Sequence, residues 1–301
     1  MLNLTGEFKE KVIAALLTVR QNYEGSDAAF SKKWGMNPSV FNRIKNGQRD
    51  GLLKESQWLN MGRDLNVTLN DRQWNVARTA VFNQIEEEVT FCKRYAKSMI
   101  FVDDCEIGKT FSCQYLSKTL KNCFYVDASQ SKTKQLFVRN IARCIGLDDT
   151  GRYATVKANI KYYLKTLQEP IVIIDEPGDL DYNGFLEIKE LWNGTEGACA
   201  WYLIGADGLA EKMEKGINHR KVGYREIFSR FSGKFSSIVP PDRKEKMVFY
   251  RQLISDVLSV NMDDKNGMEP IIRRCLSNEG GSISGLRRAE SLLILHNRGN
   301  G

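Results

Sequence analysis

The chain has 301 residues and a formal net charge of +7, with 42% hydrophobic and 27% charged residues. This near-globular composition excludes a disordered or fibrous protein, and no apolar run approaches the roughly 20 residues that span a bilayer. At about 100–200 residues per domain, we expect two or three domains. Seven cysteines without close spacing and only two histidines favour reduced thiols over a disulfide framework or a zinc site. We expect a cytoplasmic protein with no signal peptide and no membrane partner.

Helical and strand patterns divide the chain into three regions. Residues 1–70 have the spacing of short helices, and residues 71–97 continue as a helix with apolar residues every three or four positions. Five apolar runs separated by helical stretches then predict βαβ units and a parallel sheet. These runs are residues 98–102, 123–126, 171–174, 201–205 and 236–239. Helical patterns return from residue 241, with breaks at Gly267–Pro270 and Gly280–Gly281.

Residues 27–47 are typical of a helix-turn-helix. Their apolar and small residues have the spacing of two tightly packed helices, with Asn37 as a cap for the second helix and Pro38 in its first turn. In phage-repressor proteins of this type, the N-terminal residues of the second helix enter the major groove of DNA. A helical hairpin used only for packing is the alternative. The candidate DNA contacts on this helix are Ser39, Asn42 and Arg43.

The first predicted strand is followed by the end of a phosphate-binding loop. Gly108 lets backbone N–H groups approach phosphate oxygens, Lys109 reaches the β- and γ-phosphates, and Thr110 ligates Mg²⁺. The helix that begins there adds the positive end of its dipole. Asp103 replaces the first glycine of the usual G-x-x-x-x-G-K-[ST] pattern. The nucleotide-binding candidates in this segment are Cys105, Glu106, Ile107, Gly108, Lys109, Thr110 and Phe111.

Two acids follow the apolar run at 171–174. We expect Asp175 to hold the Mg²⁺ shell together with Thr110, and Glu176 to polarise the attacking water. The alternative is an ordinary strand end with solvated acids. A strand, a GKT loop and a helix, followed by an apolar strand that ends in two acids, favour an α/β nucleotide-binding core with ATP and Mg²⁺ as cofactors.

The order of these motifs resembles the Mu B family of AAA+ ATPases, which select target DNA in transposition. The helix-turn-helix, the linker over 73–85, the GKT loop and the IVIIDE strand carry the resemblance. ATPases of the TnsC type and loaders of the IstB/DnaC type are similar over the ATPase part. The resemblance implies a helix-turn-helix domain over 1–70, an AAA+ domain with a parallel sheet over 71–240 and a small helical lid over 241–301.

The resemblance also implies further site residues. The segment EIFSRFSGKF is similar to the one that holds an arginine finger, which acts on the nucleotide of a neighbouring subunit; Arg230 is the candidate and Arg225 the reserve. The segment SISGLRRAESLL is similar to a lid helix whose arginine, here Arg287, contacts phosphate. The strand WYLIG leads to Asp207 as a sensor-1 candidate. The linker residues expected near the adenine base are Arg78 and Thr79.

Two stretches, 129–147 and 150–168, contain basic residues and no acid. Three lysines of the second stretch recur every four residues and therefore share one face of a helix. A solvated basic face is the alternative. In the related filament ATPases, elements near these positions track a DNA backbone, and such phosphate contacts carry little sequence information. The candidates are Lys132, Thr133, Lys134, Lys157 and Lys161.

Together these features predict an ATPase that assembles as a filament or ring on double-stranded DNA, with little sequence preference. By resemblance, it would select target DNA and activate a transposase. A helicase loader with the same ATPase part is one alternative. The other is a sequence-specific DNA-binding regulator whose nucleotide site has decayed, which the aspartate at position 103 motivates.

Overall fold

The computed structural model describes residues 4–21, 23, 25–49, 51–65, 67–69, 74–277 and 283–299. The chain divides into two compact units, residues 1–73 with 146–148 and residues 74–145 with 149–301. The three domain ranges expected from the sequence stay a prediction. Within the described residues, no helix is long and apolar enough to cross a membrane.

The first unit is helical over its described residues. Its helices are α1 (Gly6–Gln21), α2 (Asp27–Lys33), α3 (Pro38–Lys45) and α4 (Glu55–Asp64). The side chain of Asn37 accepts a hydrogen bond from the backbone N–H of Ser39, 3.0 Å away, and Pro38 is the first residue of α3, which confirms the predicted helix start. Phe41 of α3 is buried in a core that includes Phe30 of α2.

Five parallel strands form the centre of the second unit in the order β2-β3-β4-β1-β5. They are β1 (Ser98–Val102), β2 (Cys123–Asp127), β3 (Ile171–Asp175), β4 (Ala200–Gly205) and β5 (Phe235–Ser236). Strands β3 and β4 are buried along their whole length, as expected for parallel strands covered on both faces. The structure therefore confirms the predicted parallel sheet.

The predicted fifth strand over 236–239 is wrong in extent. Strand β5 covers only Phe235 and Ser236. The backbone N–H groups of Ile238 and Val239 donate to the side chain of Asp103 instead of to a neighbouring strand. The strand therefore ends where this side chain takes over its hydrogen bonds.

Helices flank the sheet and continue beyond it. Those between the first and last strands, with the helix before them, are α5 (Ala80–Tyr95), α6 (Lys109–Thr119), α7 (Lys134–Ile145), α8 (Tyr153–Thr166), α9 (Tyr182–Gly194), α10 (Asp207–Asn218) and α11 (Tyr224–Arg230). The C-terminal helices are α12 (Arg243–Asn261), α13 (Met268–Leu276) and α14 (Leu286–Gly299). Apolar residues of α5, α6 and the sheet share one core, which fixes the loop that joins β1 to α6.

Two predicted helix limits differ from the structure. The helix expected over 71–97 begins only at Ala80, because the hydroxyl oxygen of Thr79 accepts the N–H of Phe82 and caps the helix there. The break expected at Gly267–Pro270 is shorter, since α13 begins at Met268 and contains Pro270 in its first turn, where no backbone N–H is required. The break expected at Gly280–Gly281 lies outside the described residues.

Candidate functional site

The loop between β1 and α6 curls around the side chain of Lys109. Gly108 caps α6 in the left-handed region with φ of 95°, a conformation that glycine adopts without strain. The ammonium of Lys109, a residue only 7% exposed, donates hydrogen bonds to the backbone oxygens of Asp103 at 2.8 Å and Asp104 at 2.5 Å. Burial lowers the pKa of this lysine. The loop therefore places the cation of Lys109 at the start of α6, and the N-terminus of a helix is a place where phosphates bind.

The threonine and the strand-end aspartate predicted as metal ligands lie side by side. The hydroxyl of Thr110 donates to Asp175 Oδ2 at 2.7 Å, across the gap between α6 and the end of β3. Asp175 is 3% exposed, and its Oδ1 accepts the backbone N–H of Glu176 at 3.1 Å. A hydroxyl and a carboxylate are hard oxygen donors of the kind that Mg²⁺ takes beside substrate phosphates, so these residues fit the ion.

The second acid, Glu176, has a strained backbone. Its φ of 50° and ψ of 46° are left-handed, a region that residues other than glycine enter at an energetic cost. Partial burial and the neighbouring Asp175 carboxylate raise the pKa of Glu176. Glu106 in the loop has a similar φ of 63°. Such strained residues concentrate at functional sites. Here one of them lies in the loop of Lys109 and the other directly follows Asp175.

Residues 79–213 match the family described as the AAA domain. The match indicates an AAA-type P-loop ATPase. No curated protein matches the chain at a significant level. The matched range contains the whole Lys109 loop, the pair of Thr110 and Asp175, and Glu176, whereas Arg230 and Arg287 lie beyond it. The five-stranded parallel sheet with helices on both sides fits the α/β core of such an AAA domain.

Asp103 does not aim its charge at the phosphate-binding concavity. The residue is 6% exposed, and its Oδ2 accepts hydrogen bonds from the backbone N–H groups of Ile238 at 2.5 Å and Val239 at 3.0 Å. Its Oδ1 accepts the N–H of Asp104 at 2.8 Å. The aspartate that replaces the usual glycine therefore joins the start of the loop to the segment after β5.

Other acids of the loop contact the C-terminal helices. Asp104 forms an ion pair with Lys246 of α12 at 2.5 Å and accepts a hydrogen bond from the hydroxyl of Tyr250 at 2.9 Å. The backbone oxygen of Glu106 accepts the N–H of Leu286 at 2.8 Å. Arg287 lies at the edge of the loop, with Nη1 4.0 Å from Glu106 Oε1, and its side chain is 81% exposed. Its expected role in phosphate contact stays a prediction.

Arg230 lies at the opposite end of the sheet from Lys109. Its guanidinium carbon is 5.2 Å from the ring centre of Trp192, whose indole nitrogen donates to Ser98 Oγ at 3.1 Å. Ser98 is the first residue of β1, whereas the loop that holds Lys109 follows the last. The Nη1 atom of Arg230 is buried and has no hydrogen-bond partner among the described residues. The structure thus separates the predicted arginine finger from the nucleotide loop of its own chain.

The remaining residues predicted to bind nucleotide do not form a cluster with one another. Thr79 is 5% exposed, and its hydroxyl oxygen caps α5. Arg78 is paired with Glu86 and lies over the ring of Phe82. Asp207 is exposed at the first turn of α10. Cys105 and Phe111 are exposed on either side of the loop, while Ile107 is buried in the core.

The predicted DNA contacts differ in exposure and in whether they pair with acidic residues of the same chain. Exposed candidates are Ser39, Asn42, Arg43, Lys132, Thr133 and Lys134. Lys157, in contrast, is 14% exposed in its side chain and pairs with Glu187 at 3.2 Å and Glu190 at 2.6 Å. Lys161 pairs with Glu190 at 3.4 Å. These intramolecular pairs count against a DNA contact by Lys157 and Lys161.

Sequence reasoning missed Tyr125 on β2. Its hydroxyl lies 2.7 Å from Asp175 Oδ2, the same oxygen that accepts the hydrogen of Thr110. The contact depends on the pairing of β2 with β3, which brings Asp127 level with Asp175. The sequence does not show that a tyrosine in a predicted strand contacts this aspartate, because neither the strand order nor the register can be read from the sequence.

Proposed function

We propose that this protein is a DNA-binding ATPase that assembles on DNA in the presence of ATP, selects target DNA and activates a transposase. The observation that carries the ATPase step is the hydrogen bond of 2.7 Å between Thr110 and Asp175, beside the loop that holds Lys109. Lys109, Thr110 and Asp175 are the kinds of residue that bind a Mg²⁺-nucleotide, and all three lie within the range that matches the AAA domain family.

Each residue of the site has a definite task in this proposal. The backbone N–H groups at the start of α6 bind phosphate oxygens, and Lys109 turns its ammonium from the loop carbonyls to the β- and γ-phosphates. Thr110 gives its hydrogen to Asp175 and so keeps its oxygen lone pairs for the ion. Bound Mg²⁺ neutralises charge on the phosphates. Glu176 orients the attacking water and accepts its proton.

Support for assembly comes from the position of Arg230. Strand β1 has five residues, so roughly 16 Å separate its two ends at about 3.3 Å per residue. A guanidinium at the amino end of the strand is too far away to meet a nucleotide at the carboxyl end in the same chain. We propose that Arg230 leaves Trp192 and meets the γ-phosphate held by a neighbouring subunit, where its charge stabilises the transition state.

Support for DNA binding comes from exposed polar residues on two elements. Ser39, Asn42 and Arg43 are exposed on α3, while Phe41 and Ile44 of the same helix are buried. Lys132 is exposed just before α7 and Lys134 is exposed as its first residue. Within the described residues neither lysine is paired with a carboxylate, and the ammonium of Lys134 lies 5.9 Å from the centre of the Tyr153 ring. We place the backbone contacts there, because Lys157 and Lys161 are occupied by glutamates.

Two alternatives can be separated by experiment. The buried hydrogen bonds of Asp103 disfavour a decayed regulator, because its charge is held away from the phosphates by backbone donors. We expect nonspecific duplex DNA to stimulate ATP hydrolysis and electron microscopy to reveal filaments or rings that need a triphosphate. Sequence-specific binding without hydrolysis would instead identify the regulator. Capture of a replicative helicase, and not of a transposase, would identify a helicase loader.

A further inference from the structure

The hydrogen bonds to the Asp175 side chain include one from a residue outside the expected motifs, Tyr125. Asp175 Oδ2 accepts one hydrogen from Thr110 and one from Tyr125, both at 2.7 Å. The side chain of Gln114, one turn after Thr110 on α6, acts on the same tyrosine hydroxyl and lowers its pKa, against the larger effects of burial and of Asp175. Helix α6 and strands β2 and β3 thus converge on a single carboxylate oxygen.

Tyr125 acts as a hydrogen donor in this set. Its hydroxyl carries one hydrogen, which goes to the carboxylate because Asp175 has none to give. A tyrosine hydroxyl is protonated at neutral pH, so the hydrogen is available to the carboxylate. A carboxylate oxygen has two lone pairs in its plane, and the two hydroxyls use both of them on Oδ2. Only Oδ1, which accepts the N–H of Glu176, keeps an unused lone pair.

We propose that Tyr125 is a positioning residue of the metal site, which fixes the Asp175 carboxylate so that the unused lone pair of Oδ1 and the hydroxyl oxygen of Thr110 would both be available to hold Mg²⁺. The inference rests on the Mg²⁺-nucleotide site proposed above. Partners that orient a ligand of a metal typically change metal affinity about 10- to 100-fold when they are removed. Tyr125→Phe removes only the donor oxygen and keeps the ring in the core.

The test is the Mg²⁺ dependence of nucleotide binding. A fluorescent, non-hydrolysable ATP analogue is bound to the full chain in EDTA and then at rising Mg²⁺, and Mn²⁺ electron paramagnetic resonance gives a second reading of metal affinity. For Tyr125→Phe we expect roughly tenfold more Mg²⁺ at half-saturation, with unchanged binding in EDTA. Gln114→Leu, which keeps the tyrosine but removes the neighbouring amide, should shift the same midpoint by a smaller factor. Tyr115→Phe removes a hydroxyl from the same core without touching Asp175 and should leave the midpoint in place.

The outcomes separate this inference from the proposed function. If the wild-type chain binds no nucleotide with or without Mg²⁺, the proposed function is wrong and the metal role of Tyr125 is wrong with it. If the wild-type chain shows Mg²⁺-dependent binding and both Tyr125→Phe and Gln114→Leu keep its midpoint within twofold, only the role of Tyr125 is overturned. Should Tyr125→Phe lose its fold by circular dichroism, the midpoint of Gln114→Leu decides in the same way.

Discussion

Asp103 Oδ2 lies 2.5 Å from the backbone nitrogen of Ile238, so the first residue of the nucleotide loop is tied to the chain that leaves the sheet. Three backbone N–H groups in all donate to this carboxylate. The loop therefore depends on Asp103 for its attachment, in a place where a glycine could supply no acceptor. This makes the departure from the usual motif a structural element of the site.

Replacement of Asp103 should affect stability more than nucleotide binding. Asp103→Ala leaves buried N–H groups without an acceptor, and we expect the free energy of unfolding to fall by about 3 kcal/mol in urea titrations. Asp103→Asn keeps one acceptor oxygen and should lose less. Because backbone donors hold the Asp103 carboxylate away from the phosphates, Asp103→Asn should bind ATP about as tightly as the wild type. An Asp103→Ala chain as stable as the wild type would contradict the attachment.

Substitutions of Lys109 and of Glu176 should impair different steps, nucleotide binding in the first case and hydrolysis in the second. Lys109→Ala removes the cation at the phosphates, so we expect ATP binding and ATP-dependent retention of DNA to be lost. Glu176→Gln keeps the shape of the side chain but cannot accept a proton, so hydrolysis should slow by about 100-fold or more while binding and assembly persist. Equilibrium nucleotide binding and phosphate release measure the two effects separately. Normal turnover in Glu176→Gln would remove this residue from the catalytic step.

The sequence predicts the elements of the site better than the connections between them. The apolar run at 171–174 and the acids after it identify β3 and its end, because a buried strand and a charged terminus differ in composition. The hydrogen bonds of Asp103 to Ile238 and of Tyr125 to Asp175 join residues 135 and 50 positions apart. Such contacts depend on strand order and register, which local patterns do not encode. For the same reason, the prediction of a strand over 236–239 is wrong in extent.

A mixing experiment should reveal whether Arg230 acts on a neighbouring subunit. Arg230→Ala keeps an intact nucleotide loop, and Lys109→Ala keeps an intact arginine; each variant alone should hydrolyse ATP poorly. In mixed assemblies, the site of the Arg230→Ala chain can receive Arg230 from a Lys109→Ala neighbour. We therefore expect mixtures to hydrolyse ATP faster than either variant, as measured by phosphate release. Activity in mixtures equal to the sum of the separate variants would place Arg230 outside the reaction.

Thiol labelling offers a direct view of the loop. Cys105 is exposed between Asp104 and Glu106. Cys144 is exposed as well, whereas burial raises the pKa of the thiols of Cys92, Cys123 and Cys199, so these three cysteines should react slowly. We expect iodoacetamide to modify Cys105 and Cys144 first, and ATP with Mg²⁺ to slow the reaction at Cys105 only, because phosphates fill the loop. Peptide mass spectrometry measures the rate, with Cys144 as the internal control. An unchanged rate at Cys105 under saturating ATP would contradict phosphate binding in this loop.

Lys132 and Lys157 should respond differently when each is replaced by alanine. Lys132→Ala removes an exposed charge at the start of α7, so affinity for nonspecific duplex should fall and the slope of log K against log salt should shrink by about one. Lys157→Ala instead leaves the buried carboxylate of Glu187 without its partner, so unfolding should become easier by about 1–3 kcal/mol while the salt slope stays constant. Lys215→Ala removes an exposed lysine of α10 that pairs with Glu211 and serves as the charge-matched control. A salt slope that shrinks equally in the Lys132 and Lys215 variants would mean that net charge, and not contact at α7, sets the affinity for DNA.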